Sequence, residues 1–503
     1  MSPHIRTVRT SSGARAVQIV YSRRKGSRQL EHIGSAHDDV ELELLKAVAR
    51  QKLAAGQSEL DLGLQAPPEQ GGPLPITASR MGHLWDGLCA AYDVLGFDEA
   101  AGGDEVFRQL VLARLIEPTS KLDSLRVLAE AGVEPVSYRT VKRRLPVYST
   151  ERWRESLAAA CARHAGLGPA TLVLYDVTTL YFETDTPDGF RQPGFSKERR
   201  LEPQITVGLL TDASGFPLMV NAFEGNTAET LTMLPTIRSF MTAHGLTDVV
   251  VVADAGMISE ANMRAIEAEG LSFILGMKIP EVPYVIEAWH AEHPGEPVPH
   301  GHVFTQPWPA GPTDQRRDQV RYYQYSHDRA RRTLKGIDEQ VRKAEQAVAG
   351  KIAVKRNRFI KLTNATKSVN RQLEAKARAL AGIKGYVTNI DNPTPEMVIG
   401  AYRRLFQIEK SFRMAKSDLA ARPIYHHTRD SIEAHLTIVF AALAVGRWIE
   451  EATGWSIKKF IRTVRRYRTI QIQAGEHTIT AADPLPADVN AILEAINNRV
   501  RGH

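Results

Sequence analysis

Along the chain the spacing of hydrophobic positions changes several times, and each change predicts a different kind of element. Residues 1–35 alternate in short runs such as ARAVQIVYSRR, with SSG and RKGS as turns, so short strands are predicted there. A helix follows over about Asp38 to Ala55, and EQGGPLP at 69–75 reads as a Pro/Gly-rich linker. From 78 to 165 the apolar spacing is helical throughout. At Thr171 the pattern turns to strands: TLVLYDVTTLYFE, then QITVGLLTD and FPLMVNAFEG joined by the turn signal DASG. AETLTMLPTIRSFMTAHG then reads as a helix closed by glycine, DVVVVAD as a strand buried on both faces, SEANMRAIEAEG as a helix capped by Ser259, and LSFILG as a fifth strand.

Three strands with an antiparallel hairpin, then helix, strand, helix, strand, is the order of a ribonuclease H-like α/β core. Residues 281–384 interrupt it with Trp289, Trp308, the tyrosines 322, 323 and 325, and a long charged helix. Strand pattern returns at GYVTNI, residues 385–390, and a helix begins near Pro395. The expected organisation is a basic β-rich N-terminal region at 1–60, a helical domain at 78–165, an α/β core in two parts at 166–280 and 385–455, an insertion domain at 281–384, and a basic C-terminal region at 456–503.

Composition narrows the class. With 43% hydrophobic residues and 24% charged residues the chain is ordinary for a globular protein. Two cysteines, Cys89 and Cys161, imply no disulfide framework and fit a reducing cytoplasm. The N-terminus has no signal-peptide pattern, and no run of about 18 apolar residues predicts a membrane span. IVFAALAVGRWI is short and carries Arg447, so it reads as a buried core helix. The net charge of +7 is mild, but the basic residues cluster in 1–36, 355–378 and 458–468. Three such blocks suggest a polyanionic partner; the plainer alternative is three solvated faces.

One basic stretch, SKLDSLRVLAEAGVEPVSYRTVKRRL, has two short amphipathic patterns around Gly132. It resembles a helix-turn-helix whose second helix would present Arg139, Lys142 and Arg143 to a major groove; a plain helical pair is the alternative.

The chemistry-bearing positions lie on the predicted strands. Asp176 interrupts the first and Asp254 ends the fourth, 78 residues later (254 − 176). Those strands are neighbours in such a sheet, so the two carboxylates converge where open α/β sheets bind ligands. Paired carboxylates repel unless a cation lies between them, and oxygen-only ligands suit Mg²⁺ or Mn²⁺. Glu409 supplies a third carboxylate, enough for two ions. Tyr402, Glu409 and Lys416 recur at intervals of seven, on one face of a continuous helix, beside an apolar stripe of Leu405, Ile408 and Phe412.

YDVTTLYFET, VVVADAGMIS and YRRLFQIEKSFRMAKSDL together resemble the three acidic motifs of a DDE transposase from a bacterial insertion sequence, in the superfamily with a Y-x2-R-x3-E-x6-K signature. GFSKERRLEPQITVGLLTDASGFPL resembles the loop and hairpin of that group. The resemblance implies catalytic, metal-binding Asp176, Asp254 and Glu409, with Tyr402 and Lys416 as signature partners. It implies two Mg²⁺ ions (Mn²⁺ as the alternative), double-stranded DNA as substrate, and a homodimer in a synaptic complex, with the protein in the bacterial cytoplasm beside the nucleoid. Lys197, Arg199 and Arg200, after the first strand, are expected to steady phosphate charge. The signature arginine falls on Leu405, and Arg413, one turn past Glu409, is expected to replace it, with Arg404 as the competing candidate. A ribonuclease H-like nuclease that never joins strands, and a domesticated DNA-binding protein, are the alternative functions. Trp308 could stack on a flipped base, although core packing is the commoner fate of such a residue; His426, His427 and His435 are expected to be structural.

Overall fold

A computed structural model of the chain describes residues 3–10, 13–22, 28–54, 74–168, 171–183, 186–194, 202–257, 259–312, 314, 316–353, 357–363, 366–422, 424, 426–474 and 476–501. Its centre is an eight-stranded mixed sheet. In chain order the strands are β1 (Thr171–Tyr181), β2 (Gln204–Thr211), β3 (Pro217–Glu224), β4 (Val249–Ala253), β5 (Ser272–Met277), β6 (Val303–Trp308), β7 (Gln319–Tyr325) and β8 (Ile383–Thr388). Across the sheet they run β6-β7-β8-β5-β4-β1-β2-β3. β1, β4 and β5 are parallel; every other neighbouring pair is antiparallel. The five strands from β3 to β5 match the core read from the sequence.

Local chemistry accounts for the parallel centre. β4 contains four consecutive valines, whose branched side chains suit a strand covered on both faces. The crossovers are helices Met233–His244 and Glu260–Ala268. Gly245 ends the first at φ 61°, and Ser259 caps the second by accepting a hydrogen bond from the Asn262 amide.

Residues 281–384 were expected to interrupt the core as an insertion domain; β6 and β7, which come from that segment, extend the core sheet through β8. The segment also makes two small cores of its own, one in which Phe304 of β6 and Tyr323 of β7 pack with Ile286, the other between helix His327–Val348 and Phe359. The stretch 78–165 is not helical throughout. Ile76–Arg80 is a strand that pairs with Thr469–Ala474, joining residues from opposite ends of the chain in one three-stranded sheet. Strands His4–Arg9, Arg15–Ser22 and Arg28–Ala36 form a separate antiparallel sheet, backed by helix Asp39–Ala54. Of the linker read at 69–75, residues 69–73 lie outside the described residues.

Helix Arg429–Thr453 is long and apolar enough to span a membrane, but 89% of its most apolar window is buried inside the protein. It is a core helix, as IVFAALAVGRWI suggested. The basic C-terminal helix, Ile457–Val464, buries Ile457, Phe460, Ile461 and Val464 and exposes Lys458, Lys459 and Arg462. Arg465 does not share that exposed face. The helix ends before it, and its guanidinium turns inward to within 3.7 Å of the buried Glu117 carboxylate.

Candidate active site

Strand register brings the first two acids together. β1 pairs with β4 from Thr171↔Val249 to Leu174↔Val252, a constant offset of 78 (249 − 171). Asp176 and Asp254 differ by the same 78, so each follows its last paired residue by two and both point to one face. Asp176 stays within β1, opposite Leu209 of β2, and its Oδ1 accepts a hydrogen bond from the Val177 amide at 2.9 Å. Asp254 follows the last residue of β4 and is exposed.

Two helices close the site. Pro395–Arg403 (α1) opens with Thr394 as cap and Pro395 in the first turn. Leu405–Arg413 (α2) carries Glu409. A cavity of about 390 Å³ is lined by Asp176, Asp254 and Glu409 together with Gln324, Arg329, Lys384, Tyr386, Tyr402, Arg403, Leu405 and Phe406. Three carboxylates thus face three cations, Arg329, Lys384 and Arg403.

Tyr402 fixes one wall. Its hydroxyl donates a hydrogen bond to Asp254 Oδ1, and burial, then that bond, push the phenol pKa upward, so it stays a donor. The ring sits edge-on to Tyr386 at 5.0 Å between centroids and lies against Gly276 of β5. A Cβ at position 276 would be 2.5 Å from the Tyr402 hydroxyl oxygen and 2.8 Å from the ring. Glycine here makes space rather than supplying a turn. Gly276→Val is therefore expected to cost about 1–3 kcal/mol through overpacking. Adding Tyr402→Ala in the same chain should recover most of that loss, since neighbouring sites couple; equal urea midpoints for wild type and Gly276→Val would refute the close approach.

α2 is braced from behind. Gly215, in the β2–β3 turn at φ 86°, accepts a hydrogen bond from Ser411 Oγ at 2.6 Å, and a Cβ there would be 2.8 Å from the Gln407 carbonyl oxygen. The hairpin read from DASG thus sets how closely α2 approaches the sheet.

The continuous-helix geometry does not hold. The helix breaks at Arg404, between α1 and α2, and passes into a π turn at Met414–Asp418. Tyr402 and Glu409 both reach the cavity, but Lys416 instead lines a small apolar cavity with Thr178, Leu180 and Phe412. Arg413 is exposed and does not line the acid cavity; neither does Arg404. Arg403 and the buried Leu405 do. Arg413 still lies one turn past Glu409 within α2, and Arg404 is the residue at the break.

Arg139, Lys142 and Arg143 are exposed on helix Tyr138–Tyr148, which Ser137 caps, and Gly132 ends the preceding helix at φ 86°. Lys197, Arg199 and Arg200 lie outside the described residues. Trp308 is on the edge strand β6 under the Arg321 guanidinium, 3.6 Å from its ring centroid, away from the acid cavity. His435 is buried, 3.1 Å from Lys121 Nζ through Nδ1 and 3.1 Å from the Ala421 carbonyl through Nε2.

Lys384, Arg329 and Gln324 are site residues that the motifs did not reveal. Lys384 lies in β8 two residues before Tyr386, so both face the cavity. A lysine at the start of the otherwise apolar and aromatic IKGYVT was the available signal. Burial lowers its pKa, while Asp254 and Glu409 pull it upward.

The donor set fits a hard divalent cation: three carboxylates and no thiol or imidazole line the cavity. Among the described residues these groups are not drawn into a ready-made cluster of three. Asp254 is bonded to Tyr402, and Lys384 supplies positive charge.

Comparison with known proteins places this geometry in context. A family model for the transposase DDE domain matches residues 167–445, which span β1 to the core helix and include all three acids. No curated protein matches the chain. Among solved structures, the cryo-EM structure of a piggyBac transposase synaptic complex with hairpin DNA is similar, at 9% identity and a TM-score of 0.39, over 76% of this chain and 70% of that one. With more than half of its length matched by that model, the chain belongs to the transposase DDE domain family.

Proposed function

We propose that this chain is the transposase of a bacterial insertion sequence. It binds the element's terminal inverted repeats, cleaves DNA at their ends and joins the freed 3′ ends to a target. The observation that carries this reading is the shared cavity of Asp176, Asp254 and Glu409, delivered by two parallel strands in register and a helix.

In this reading the three carboxylates would hold Mg²⁺, or Mn²⁺, as two ions per site. Bound there, the metal would polarise the scissile phosphate and make water, or later a DNA 3′-hydroxyl, a competent nucleophile. The chain's own residues do the rest. Tyr402 holds Asp254 in one orientation through its hydroxyl. The apolar walls of β1 and β4 keep the carboxylates on a rigid frame. Sequence recognition is assigned to helix Tyr138–Tyr148 and the N-terminal β-sheet, and synapsis of two ends to a homodimer. The setting is the cytoplasm, beside the nucleoid.

A strand-transfer assay with pre-cut ends tests the function. Joined product is expected with Mg²⁺ and none with EDTA, while DNA retardation persists in both. Cleavage of an uncut end in a parallel assay, with no joining of pre-cut ends, would favour a nuclease, and binding without either step a domesticated DNA-binding protein. For the recognition helix, Arg139→Ala, Lys142→Ala and Arg143→Ala together should flatten the slope of log affinity against log salt by about 0.9 for each phosphate no longer neutralised. An unchanged slope would leave that helix a solvated face.

A further inference from the structure

We infer that Lys384 is a phosphate-binding residue of the reaction and carries the charge that the signature assigns to an arginine at the position of Leu405. The inference rests on the acid-site reading above. Lys384 enters the site from β8, opposite Gln324 of β7, so the strands contributed by the interrupting segment supply part of the catalytic cavity.

Its ammonium group is held in place without being neutralised. Nζ lies 4.2 Å from the centroid of the Tyr402 ring and 5.9 Å from that of Tyr386, a cation–π arrangement with rings that are themselves packed together. It forms no ion pair with any described carboxylate, so its three donors remain for an incoming oxygen.

The other cations are less suited. Arg329 donates through Nη1 to the backbone carbonyls of Gln324 and Gly382, at 3.2 and 3.1 Å. Arg403 is exposed at the end of α1. Leu405, where the signature has its arginine, is buried in the cavity wall and has no donor. A lysine contributes a point charge rather than a planar fork, which suits one non-bridging oxygen.

The test compares rate with binding. Lys384→Gln should slow single-turnover cleavage by about 10²–10³-fold, the usual cost of removing one donor to developing charge, with DNA affinity reduced by less than about tenfold. Lys384→Arg should stay within about tenfold of wild type. Leu405→Arg placed in the Lys384→Gln chain should restore at least about tenfold, which a merely structural lysine would not allow. Wild-type cleavage by Lys384→Gln, loss of binding equal to the loss of rate, or no rescue by Leu405→Arg overturns the inference. If Asp176→Asn is inactive while Lys384→Gln cleaves normally, this inference alone fails. If Asp176→Asn cleaves normally, the reading beneath it fails.

Discussion

Asp176→Asn, Asp254→Asn and Glu409→Gln are each expected to lower DNA cleavage by at least about a thousandfold while DNA affinity stays within about threefold. Each change keeps the shape of the side chain and removes one negative charge. Loss of a metal ligand forfeits several kcal/mol of transition-state stabilisation, and every 1.36 kcal/mol is about tenfold in rate. DNA affinity should persist because the exposed basic residues, Arg139, Lys142, Arg143, Lys458, Lys459 and Arg462, lie outside the acid cavity. Asp254→Asn is the most informative of the three: its Oδ1 can still accept from Tyr402, so the wall survives and only the charge is removed. Gel retardation and cleavage on one end-containing duplex measure both quantities. Wild-type cleavage by any one variant removes that residue from the site.

How far this site was legible in the sequence depends on which interactions fix it. Asp176 and Asp254 were readable because strand period and parallel pairing are local rules: an apolar run ending in an acid, twice, at a separation the ladder preserves. Glu409 was readable as a helical acid beside an apolar stripe, and Ile408 and Leu405 do pack inward. What periodicity could not give was the break at Arg404. The π turn at Met414–Asp418 takes Lys416 out of the acid cavity, whereas Arg413 stays one turn past Glu409 within α2 and is exposed off the cavity lining. Lys384 was hidden differently. Its place in the cavity depends on β8 being captured between β5 and β7 across long separations, and on Gly276 leaving room for the Tyr402 ring beneath it. Likewise Arg465 reads as one more charge on a basic helix until Glu117, remote in sequence, is placed opposite it.

Remote charge pairing also governs the second large effect, expected from Arg126→Met. The Arg126 guanidinium lies 2.5 Å from Glu117, 2.9 Å from Asp123 and 2.6 Å from Glu130. Glu130 also accepts from Ser35 and lies 2.6 Å from His32, both on strand Arg28–Ala36, so this network fastens the N-terminal sheet to the helical layer. The Glu117 and Glu130 side chains are each 2% exposed. Removing the arginine leaves both carboxylates buried without their main counter-charge, a loss of about 3–5 kcal/mol. The acid limb of stability should change with it. Burial alone would raise the Glu130 pKa, but the His32 hydrogen bond and the Arg126 charge outweigh it and hold the carboxyl at about 2, against an ordinary value of 4.5. A depressed carboxyl stabilises the fold above its unfolded pKa and loses that contribution as pH falls through the folded one. Wild type should therefore weaken as pH falls from about 4.5 towards 2. In Arg126→Met the carboxyl titrates at higher pH, so the variant should already be weak at pH 4.5 and change less below it. Urea unfolding at pH 7 and at pH 4.5, with limited proteolysis to see whether the N-terminal sheet is released first, measures both effects. Unfolding midpoints equal to wild type at both pH values would show that the network carries no net stability, and that apolar packing alone holds the N-terminal sheet in place.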